Sequence, residues 1–189
     1  MRHQDLFDNL FFKMSGIQAQ KTDPQLRFLL ELSYEALVDA GMDIVKIRGS
    51  NAGVYVGSCF SDCHKGKYMC TWTLSIHESQ HNSILLRYHL VIISFICPSL
   101  SVPKITAWLQ DCESITGYEN TGCAQSMYAN RLSFFYDFHG PSMNIDTACS
   151  SALVALVQAC QAIESGEIDM AIVGGSSITL HPGVSIIAT

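Results

Sequence analysis

The sequence predicts an α/β protein in which helices cover a mostly parallel β-sheet. One sign is the segment Asn51–Gly57, which alternates too little for a surface strand and fits a strand covered on both faces. Another is a strand–helix–strand pattern, in which strands at Ser142–Ile145 and Asp169–Gly175 flank a helix. Because parallel strands are joined by crossover helices, this pattern favours a parallel sheet.

Residues typical of helix ends mark the other elements. Met1–Phe12 is a short amphipathic segment. Asp23 and Pro24 fit an N-cap and a first helical position, and Gly41 fits the end of that helix. Further helices are expected at Ala107–Cys112 and Gly122–Arg131, and further strands at Ser133–Phe138 and Ile178–Leu180.

Cys149 is the candidate nucleophile of the chain. It lies between the strand that ends at Ile145 and a helix predicted from Ser151 to Ser165. A helix start presents unpaired N–H groups and a positive dipole end, which favour the nucleophilic thiolate over the thiol. The expected geometry is a nucleophile elbow with cysteine in place of serine. A buried structural cysteine is the alternative interpretation of the same pattern.

The helix after Cys149 is predicted from apolar residues that recur at helical spacing. These residues are Leu153, Val154, Leu156, Val157, Cys160 and Ile163. Gly166 stands where a glycine commonly ends such a helix.

Composition indicates a globular protein of the cytoplasm. Hydrophobic residues make up 48% of the chain and charged residues 15%, which is typical of a folded domain. The net charge of −6 argues against a nucleic-acid partner, and neither a signal peptide nor a membrane span is predicted. Without a signal peptide, the eight cysteines are expected to be reduced thiols.

A short motif raises the alternative of a zinc peptidase. His77, Glu78 and His81 match the pattern H-E-x-x-H, in which two histidines on one helical face hold the metal. The residues before the motif favour a strand instead of the required helix. Ile84 and Arg87 stand where glycine and histidine would extend the motif.

A second segment contains cysteine and histidine at close spacing. It consists of Cys59, Cys63, His64 and Cys70. A second Cys/His pair at the spacing of a zinc site is missing, so these are interpreted as ordinary thiols and no metal is expected.

Several sequence blocks resemble one family in the same order. Asp146-Thr-Ala-Cys149-Ser-Ser resembles the active-site signature of β-ketoacyl synthases, the condensing enzymes of the thiolase-like superfamily. The resemblance is strongest to the ketoacyl synthase domain of animal-type fatty acid synthase and of polyketide synthases. The other matching blocks are Asp23-Pro-Gln-Leu-Arg27, Ser33-Tyr-Glu-Ala36, Gly53-Val-Tyr-Val-Gly57, Ala129-Asn-Arg-Leu-Ser133, Gly140-Pro-Ser142 and Ala171-Ile-Val-Gly-Gly175.

The resemblance implies a thiolase-like fold, with residues 1–189 as the N-terminal half of a ketoacyl synthase domain. The implied reaction, in fatty acid biosynthesis, is a decarboxylative condensation in which Cys149 takes an acyl chain from an acyl carrier protein. Malonyl on a carrier protein then extends that chain. Both substrates would be phosphopantetheine thioesters, and no cofactor would be bound directly. The strand Ser142–Ile145 resembles the one that pairs across a homodimer axis in these enzymes.

The same resemblance suggests residues of an acyl pocket. The helix at Gly122–Arg131 resembles one that lies near the acyl pocket and dimer interface of condensing enzymes. On that basis Cys123, Ala124 and Met127 are candidates for lining the pocket. Plain core packing is the alternative interpretation for each of them.

The chain also departs from the family. Related enzymes use two histidines and a lysine from later in the domain, and His139 and His181 do not match those positions. Ala152 replaces the third serine of the common Cys-Ser-Ser-Ser run, a change that polyketide-type members share. Residues 1–189 alone are therefore expected to be inactive in condensation. A non-catalytic fragment that acts only in subunit pairing is the alternative.

Residues 68–103 match no block of the family. They include Leu90–Cys97, an apolar run that Pro98 ends before it could span a membrane. A β-prone run of this kind promotes aggregation when exposed. The segment is interpreted as an anomalous insertion, from translated non-coding sequence or a gene-model error, that packs poorly against the core. A lineage-specific loop is the alternative.

Overall fold

A four-stranded sheet lies at the centre of the computed structural model, which describes residues 7–59, 90–96 and 117–177. The strands are β1 (Ala52–Ser58), β2 (Leu90–Ile96), β3 (Ser142–Ile145) and β4 (Met170–Ser177). Their order across the sheet is β2-β4-β1-β3, and every neighbouring pair is parallel. The predicted α/β class with a parallel sheet is thus confirmed.

Helices precede, connect and cover the strands in the same part of the chain. They are α1 (Gly16–Lys21), α2 (Pro24–Asp39), α3 (Ile44–Ile47), α4 (Tyr118–Cys123), α5 (Ser126–Tyr136) and α6 (Ser151–Glu164). A single 3-10 turn at Ala148–Ser150 precedes α6. Among these helices none is both long and apolar enough to cross a bilayer.

Helix α2 begins as the sequence predicts. Asp23 Oδ1 accepts a hydrogen bond from the Gln25 N–H at 2.8 Å, and a proline occupies the first turn. The Asp23 carboxylate also accepts a hydrogen bond from the Tyr128 hydroxyl at 2.7 Å, which ties the start of α2 to α5. The helix ends at Asp39, and Gly41 follows in the left-handed conformation.

Two helical layers cover the two faces of the sheet. On one face, Leu29 of α2 and Leu132 of α5 pack with Val54 and Val56 of β1 in the larger hydrophobic core. Because successive strand residues point to opposite faces, Tyr55 contributes instead to a second core beneath α6.

Small side chains hold α6 against its face of the sheet. The buried alanines of the helix are Ala155, Ala159 and Ala162. They pack against Tyr55 of β1 and Val173 of β4. The larger apolar residues that predict the helix are half-buried or exposed, with Leu153 63% and Val157 46% exposed. An alanine contact lets the helix come close to the sheet, because side-chain size sets the distance between packed elements.

The strand predicted at Ser133–Phe138 is wrong, because residues 126–136 form the helix α5. Its phenylalanine and tyrosine residues favour strands by intrinsic propensity. However, Tyr128, Leu132 and Tyr136 recur at a spacing of four and are fully buried along one side of α5. This burial on a helical period outweighs the local strand preference.

The helix predicted at Gly122–Arg131 is present as parts of two helices. The chain leaves helical geometry after Cys123 and enters α5 at Ser126. Gly122 contacts the segment before α2 so closely that a Cβ would lie 2.4 Å from the Lys21 carbonyl oxygen. The break therefore occurs where the backbone passes the start of the α2 layer.

Part of the segment interpreted as an anomalous insertion belongs to the sheet. Leu90–Ile96 forms β2, which pairs in parallel with β4 from Leu90 opposite Ala171 to Ile96 opposite Ser177. The backbone of these residues pairs with β4 along the whole strand, so the expectation that the segment packs poorly against the core is wrong for this backbone. The run is apolar and β-prone, and the sheet edge beside β4 is where such a run can pair.

Other predicted features lie outside the described residues. They are the helix at Ala107–Cys112, the strand at Ile178–Leu180, the His77–His81 motif, the thiols of Cys63 and Cys70, and the side chains of His64 and His181.

Candidate functional site

The chain turns from strand to helix over residues 146–150, at the carboxyl end of the sheet. β3 ends at Ile145, the 3-10 turn follows, and α6 begins at Ser151. Cys149 lies in the middle of that turn, with a free and exposed thiol. The predicted location of Cys149 between a strand and a helix is confirmed. Its exposure contradicts the alternative of a buried structural cysteine.

Ala148 holds an unfavourable backbone conformation directly before Cys149. Its φ of 54° lies in the left-handed region, where a Cβ costs roughly 1–2 kcal/mol. Conformations of this kind persist only when surrounding contacts hold them, and they cluster at functional sites. The turn therefore stores backbone strain one residue before the candidate nucleophile.

The hydroxyl of Ser151 closes the turn around Cys149. Its Oγ accepts a hydrogen bond from the Thr147 N–H at 2.8 Å and donates one to the Ala148 carbonyl at 2.6 Å. Ser151 is 3% exposed, so water has little access to these bonds. Two hydrogen bonds at roughly 1 kcal/mol each are comparable in size with the strain at Ala148.

Two further side chains hold the same turn. Asp146 Oδ1 accepts a hydrogen bond from the Ala148 N–H at 3.1 Å, and Ser150 Oγ donates one to the Thr147 carbonyl at 2.8 Å. The N–H groups of both residues before Cys149 are therefore bonded. The Cys149 N–H itself makes no hydrogen bond within the described structure. At the start of a 14-residue helix, this group is available as a donor to an oxyanion.

Two glycines make room for the start of α6 on the sheet. Gly57 of β1 and Gly175 of β4 are partners in the parallel pairing. A Cβ on Gly57 would lie 2.4 Å from the Ala152 nitrogen, and one on Gly175 would lie 2.9 Å from the Ala152 Cβ. Both distances are shorter than van der Waals contact, so the close approach of the helix depends on glycine at both positions.

Polar side chains fix β3, the strand that leads into the turn. Ser58 Oγ at the end of β1 donates a hydrogen bond to Asn144 Oδ1 at 2.9 Å. On the same face, Ser142 Oγ donates to Asn130 Oδ1 at 3.0 Å and accepts from Ser133 Oγ at 2.9 Å. These hydrogen bonds connect β3 to β1 and to α5. The strand that leads into the turn is therefore fixed in place by contacts with two other elements.

The three candidates for an acyl pocket lie around the break between α4 and α5. Cys123 is buried, with its sulfur 3.6 Å from the Lys21 carbonyl, and Ala124 is half-buried. Met127 packs against the larger core, which α2 and α5 share. The contacts of Cys123 and Met127 fit the alternative of core packing. A pocket-lining role for Cys123, Ala124 and Met127 stays a prediction.

His139 lies at the opposite end of β3 from Cys149. It precedes the strand, and its Nε2 is 3.6 Å from Asp137 Oδ1 on the surface. This position agrees with giving His139 no catalytic role. Within residues 7–59, 90–96 and 117–177, no group of three or more metal-ligating side chains is assembled.

Sequence reasoning missed Ser151 and Gly57 as neighbours of the site. A signal for Ser151 was available, because serine at a helix start commonly bonds to nearby backbone groups. For Gly57 the signal was a glycine inside an otherwise apolar strand, which often marks a close approach of another backbone.

A family model described as "Beta-ketoacyl synthase, N-terminal domain" matches residues 1–188. The chain belongs to the β-ketoacyl synthase family. The matched range includes the turn at Cys149.

Relatives of this β-ketoacyl synthase chain include both fatty acid and polyketide synthases. It is 38% identical over 180 residues to a fatty acid synthase of Anser anser anser, covering 95% of this chain and 40% of that sequence. It is also 38% identical over 184 residues to a lovastatin nonaketide synthase of Monascus pilosus, covering 96% of this chain and 5% of that sequence. The chain therefore spans less than half the length of these relatives.

Solved ketosynthase structures have the same fold. An oxazolomycin ketosynthase domain from Streptomyces albus superimposes with a TM-score of 0.64 at 29% identity, covering 95% of this chain and 24% of that one. The ketosynthase from module 6 of the bacillaene synthase of Bacillus subtilis gives a TM-score of 0.62 at 28% identity, covering 97% and 24%. The predicted thiolase-like fold of a ketoacyl synthase domain is confirmed.

Proposed function

We propose that this chain is the N-terminal half of a condensing domain of fatty acid biosynthesis and that Cys149 is its acyl-accepting nucleophile. The observation that carries the proposal is the exposed Cys149 thiol on a strained turn at the start of α6. The turn has the sequence Asp146-Thr-Ala-Cys-Ser-Ser151, which resembles the active-site signature of the family.

The first step is acyl transfer to Cys149. The thiolate attacks the carbonyl carbon of an acyl thioester on the phosphopantetheine of an acyl carrier protein, and a new C–S bond forms. The bond from the carbonyl carbon to the carrier sulfur then breaks, and the carrier leaves as a thiol after taking up a proton. The unbonded Cys149 N–H is a candidate donor to the oxyanion of the tetrahedral intermediate.

The second step is condensation with malonyl on a carrier protein. Loss of CO₂ leaves a carbanion that attacks the acyl–Cys149 carbonyl and releases the Cys149 thiolate. Charge that builds up during decarboxylation needs donors beyond those described at Cys149, and each such donor is typically worth about 3 kcal/mol. We therefore expect residues 1–189 to accept acyl groups but not to release CO₂ from malonyl-carrier protein.

The proposal includes a carrier protein as partner and no cofactor bound directly to the chain. Phosphopantetheine belongs to the carrier, and a cytoplasmic location fits the multienzymes that the chain resembles. Polyketide synthesis uses the same chemistry at the nucleophile, so a polyketide product is the second outcome of this assignment.

A role in subunit pairing is the second candidate function. β3 lies at the edge of the described sheet, bonded to β1 on one side, and its four residues are half-buried. An edge strand offers unpaired N–H and C=O groups to a second copy of the chain. If pairing is the function, light scattering of the wild-type chain will give a dimer, while the folded chain takes no label from an acyl-carrier protein.

Acyl labelling tests the nucleophile directly. The folded chain is incubated with a radiolabelled acyl-carrier protein, and the labelled peptide is mapped by mass spectrometry. We expect the label at Cys149, its loss in Cys149→Ser, and its retention in the control Cys160→Ser, which removes a half-buried thiol from α6, the helix that follows Cys149. Label at Cys160 or Cys123, or none at all in folded protein, would contradict the proposal.

A malonyl assay completes the design. Malonyl-carrier protein labelled in the carboxyl group lost as CO₂ is added to the acylated chain. Release of CO₂ by residues 1–189 alone would overturn the expectation that the chain is incomplete for condensation.

A further inference from the structure

We infer that Ser151 is a positioning residue for Cys149: its buried hydroxyl holds the Asp146–Thr147 and Ala148–Cys149 peptides in the orientation that aims the thiol and the Cys149 N–H. The inference rests on the proposed function of Cys149 as a nucleophile. It adds a residue whose task is the geometry of the turn and not contact with a substrate.

The two hydrogen bonds of Ser151 connect it to residues that precede Cys149 in the chain. The residue follows Cys149 by two positions, yet its Oγ bonds to the N–H of Thr147 and to the carbonyl of Ala148. The first of these atoms belongs to the Asp146–Thr147 peptide and the second to the Ala148–Cys149 peptide. A rotation of the Ala148–Cys149 peptide would break the second bond and redirect the Cys149 N–H.

The left-handed conformation of Ala148 explains why the turn needs hydrogen bonds that keep it in place. A φ of 54° is unfavourable for alanine, so the turn relaxes toward a right-handed conformation once it is released. Of the side chains that bond within the turn, Asp146, Thr147 and Ser150 are exposed. Ser151 alone among them is buried, at 3% exposure, and so it is shielded from competition by water.

The serine side chains of this turn form hydrogen bonds with residues of the turn and not with the backbone of α6. Ser150 is at the N-cap position of α6 but makes no capping bond to the helix. Its hydroxyl instead donates back to Thr147. Ser151 likewise bonds backward, although serine at a helix start commonly accepts from an N–H farther along the helix.

The test measures alkylation of Cys149 by iodoacetamide, in which the thiolate displaces iodide, as a function of pH. In Ser151→Ala we expect the rate to fall about tenfold across the pH profile, corresponding to the loss of one to two hydrogen bonds that orient the thiol. The control Ser165→Ala removes a matching hydroxyl-to-carbonyl bond at the other end of α6, where Ser165 Oγ donates to the Ala162 carbonyl at 3.1 Å. It should leave the rate and profile unchanged.

A second substitution separates positioning from general stability. Glycine adopts a φ of 54° without strain, so Ala148→Gly should restore most of the lost reactivity when it is combined with Ser151→Ala. A Ser151→Ala chain with the wild-type rate profile, or a double variant with no recovery, would overturn the inference.

The readout also separates this inference from the proposed function. Alkylation requires only a reactive thiol, whereas the proposed function requires acylation by an acyl-carrier protein. A chain that is not acylated, but in which Ser151→Ala still slows alkylation of Cys149, would refute the acyl-transfer role and leave the positioning role standing.

Discussion

The substitution Gly57→Ala tests whether the close approach of α6 creates the site. The new Cβ would lie 2.4 Å from the Ala152 nitrogen and 2.5 Å from the Ser151 carbonyl carbon. Because these are backbone atoms, the start of the helix would have to move by about 1 Å to reach ordinary contact. Ser151, whose hydroxyl holds the turn, would move with it.

The energetic cost follows from the same contacts. Overpacking of this kind typically costs about 1–3 kcal/mol, and a rigid neighbour places the cost near the upper end. Replacing glycine also lowers the conformational entropy of the unfolded chain, which stabilises the folded state by about 0.4–1 kcal/mol. We therefore expect a net loss of about 2 kcal/mol in the free energy of unfolding, measured by urea titration, together with slower alkylation of Cys149.

Gly174→Ala is the matched control for this substitution. It adds the same methyl group to the neighbouring strand, but its Cβ would meet the Leu29 Cδ2 atom at 3.2 Å. The end of a leucine side chain can shift by a few tenths of an ångström, so stability and alkylation should change little. If Gly57→Ala unfolds at the same urea concentration as Gly174→Ala and reacts as fast, the reasoning from close approach is refuted.

Other changes test the packing around the sheet. Asp23→Ala removes a buried N-cap and the partner of a tyrosine hydroxyl, so we expect a loss of about 2–4 kcal/mol by urea titration. The exposed cap variant Asp43→Ala should shift the midpoint far less, and equal shifts would contradict this account. Burial raises the pKa of Tyr136, so stability should be full below about pH 10 and fall as the pH rises further. Tyr136→Phe should flatten that alkaline fall, and an unchanged fall would exclude Tyr136 as its source. Deleting residues 68–103 removes β2, so we expect a lower melting temperature. A higher soluble yield would instead support the anomalous-insertion interpretation.

Local chemistry made the start of α2 predictable from the sequence. Asp23 and Pro24 act within one turn of the chain, so their capping role does not depend on distant residues. The strand–helix junction at Cys149 was predictable for a similar reason, since a short strand, a turn and a periodic helix follow one another directly.

Tertiary contacts decided the elements that sequence reasoning missed. The aromatic residues at the end of α5 favour a strand locally, and only the burial of Tyr136 beside α2 shows the helical face. The apolar pattern of α6 identified a helix but not the side that faces the sheet. Alanines form that side, because Gly57 and Gly175 leave space for the helix to approach the strands closely. The role of Ser151 depends on the left-handed backbone at Ala148, which no side-chain pattern indicates.

The clearance at Gly57 and Gly175 also determines when the turn at Cys149 can form during synthesis. Gly57 is translated long before Cys149, and Gly175 is translated after it. The two glycines that make room for the start of α6 therefore come together only when β1 and β4 pair. Pairing between residues so far apart in sequence is a late and slow event in folding. The geometry of the turn at Cys149 therefore forms only after the polypeptide has been made through β4 and has folded back onto β1.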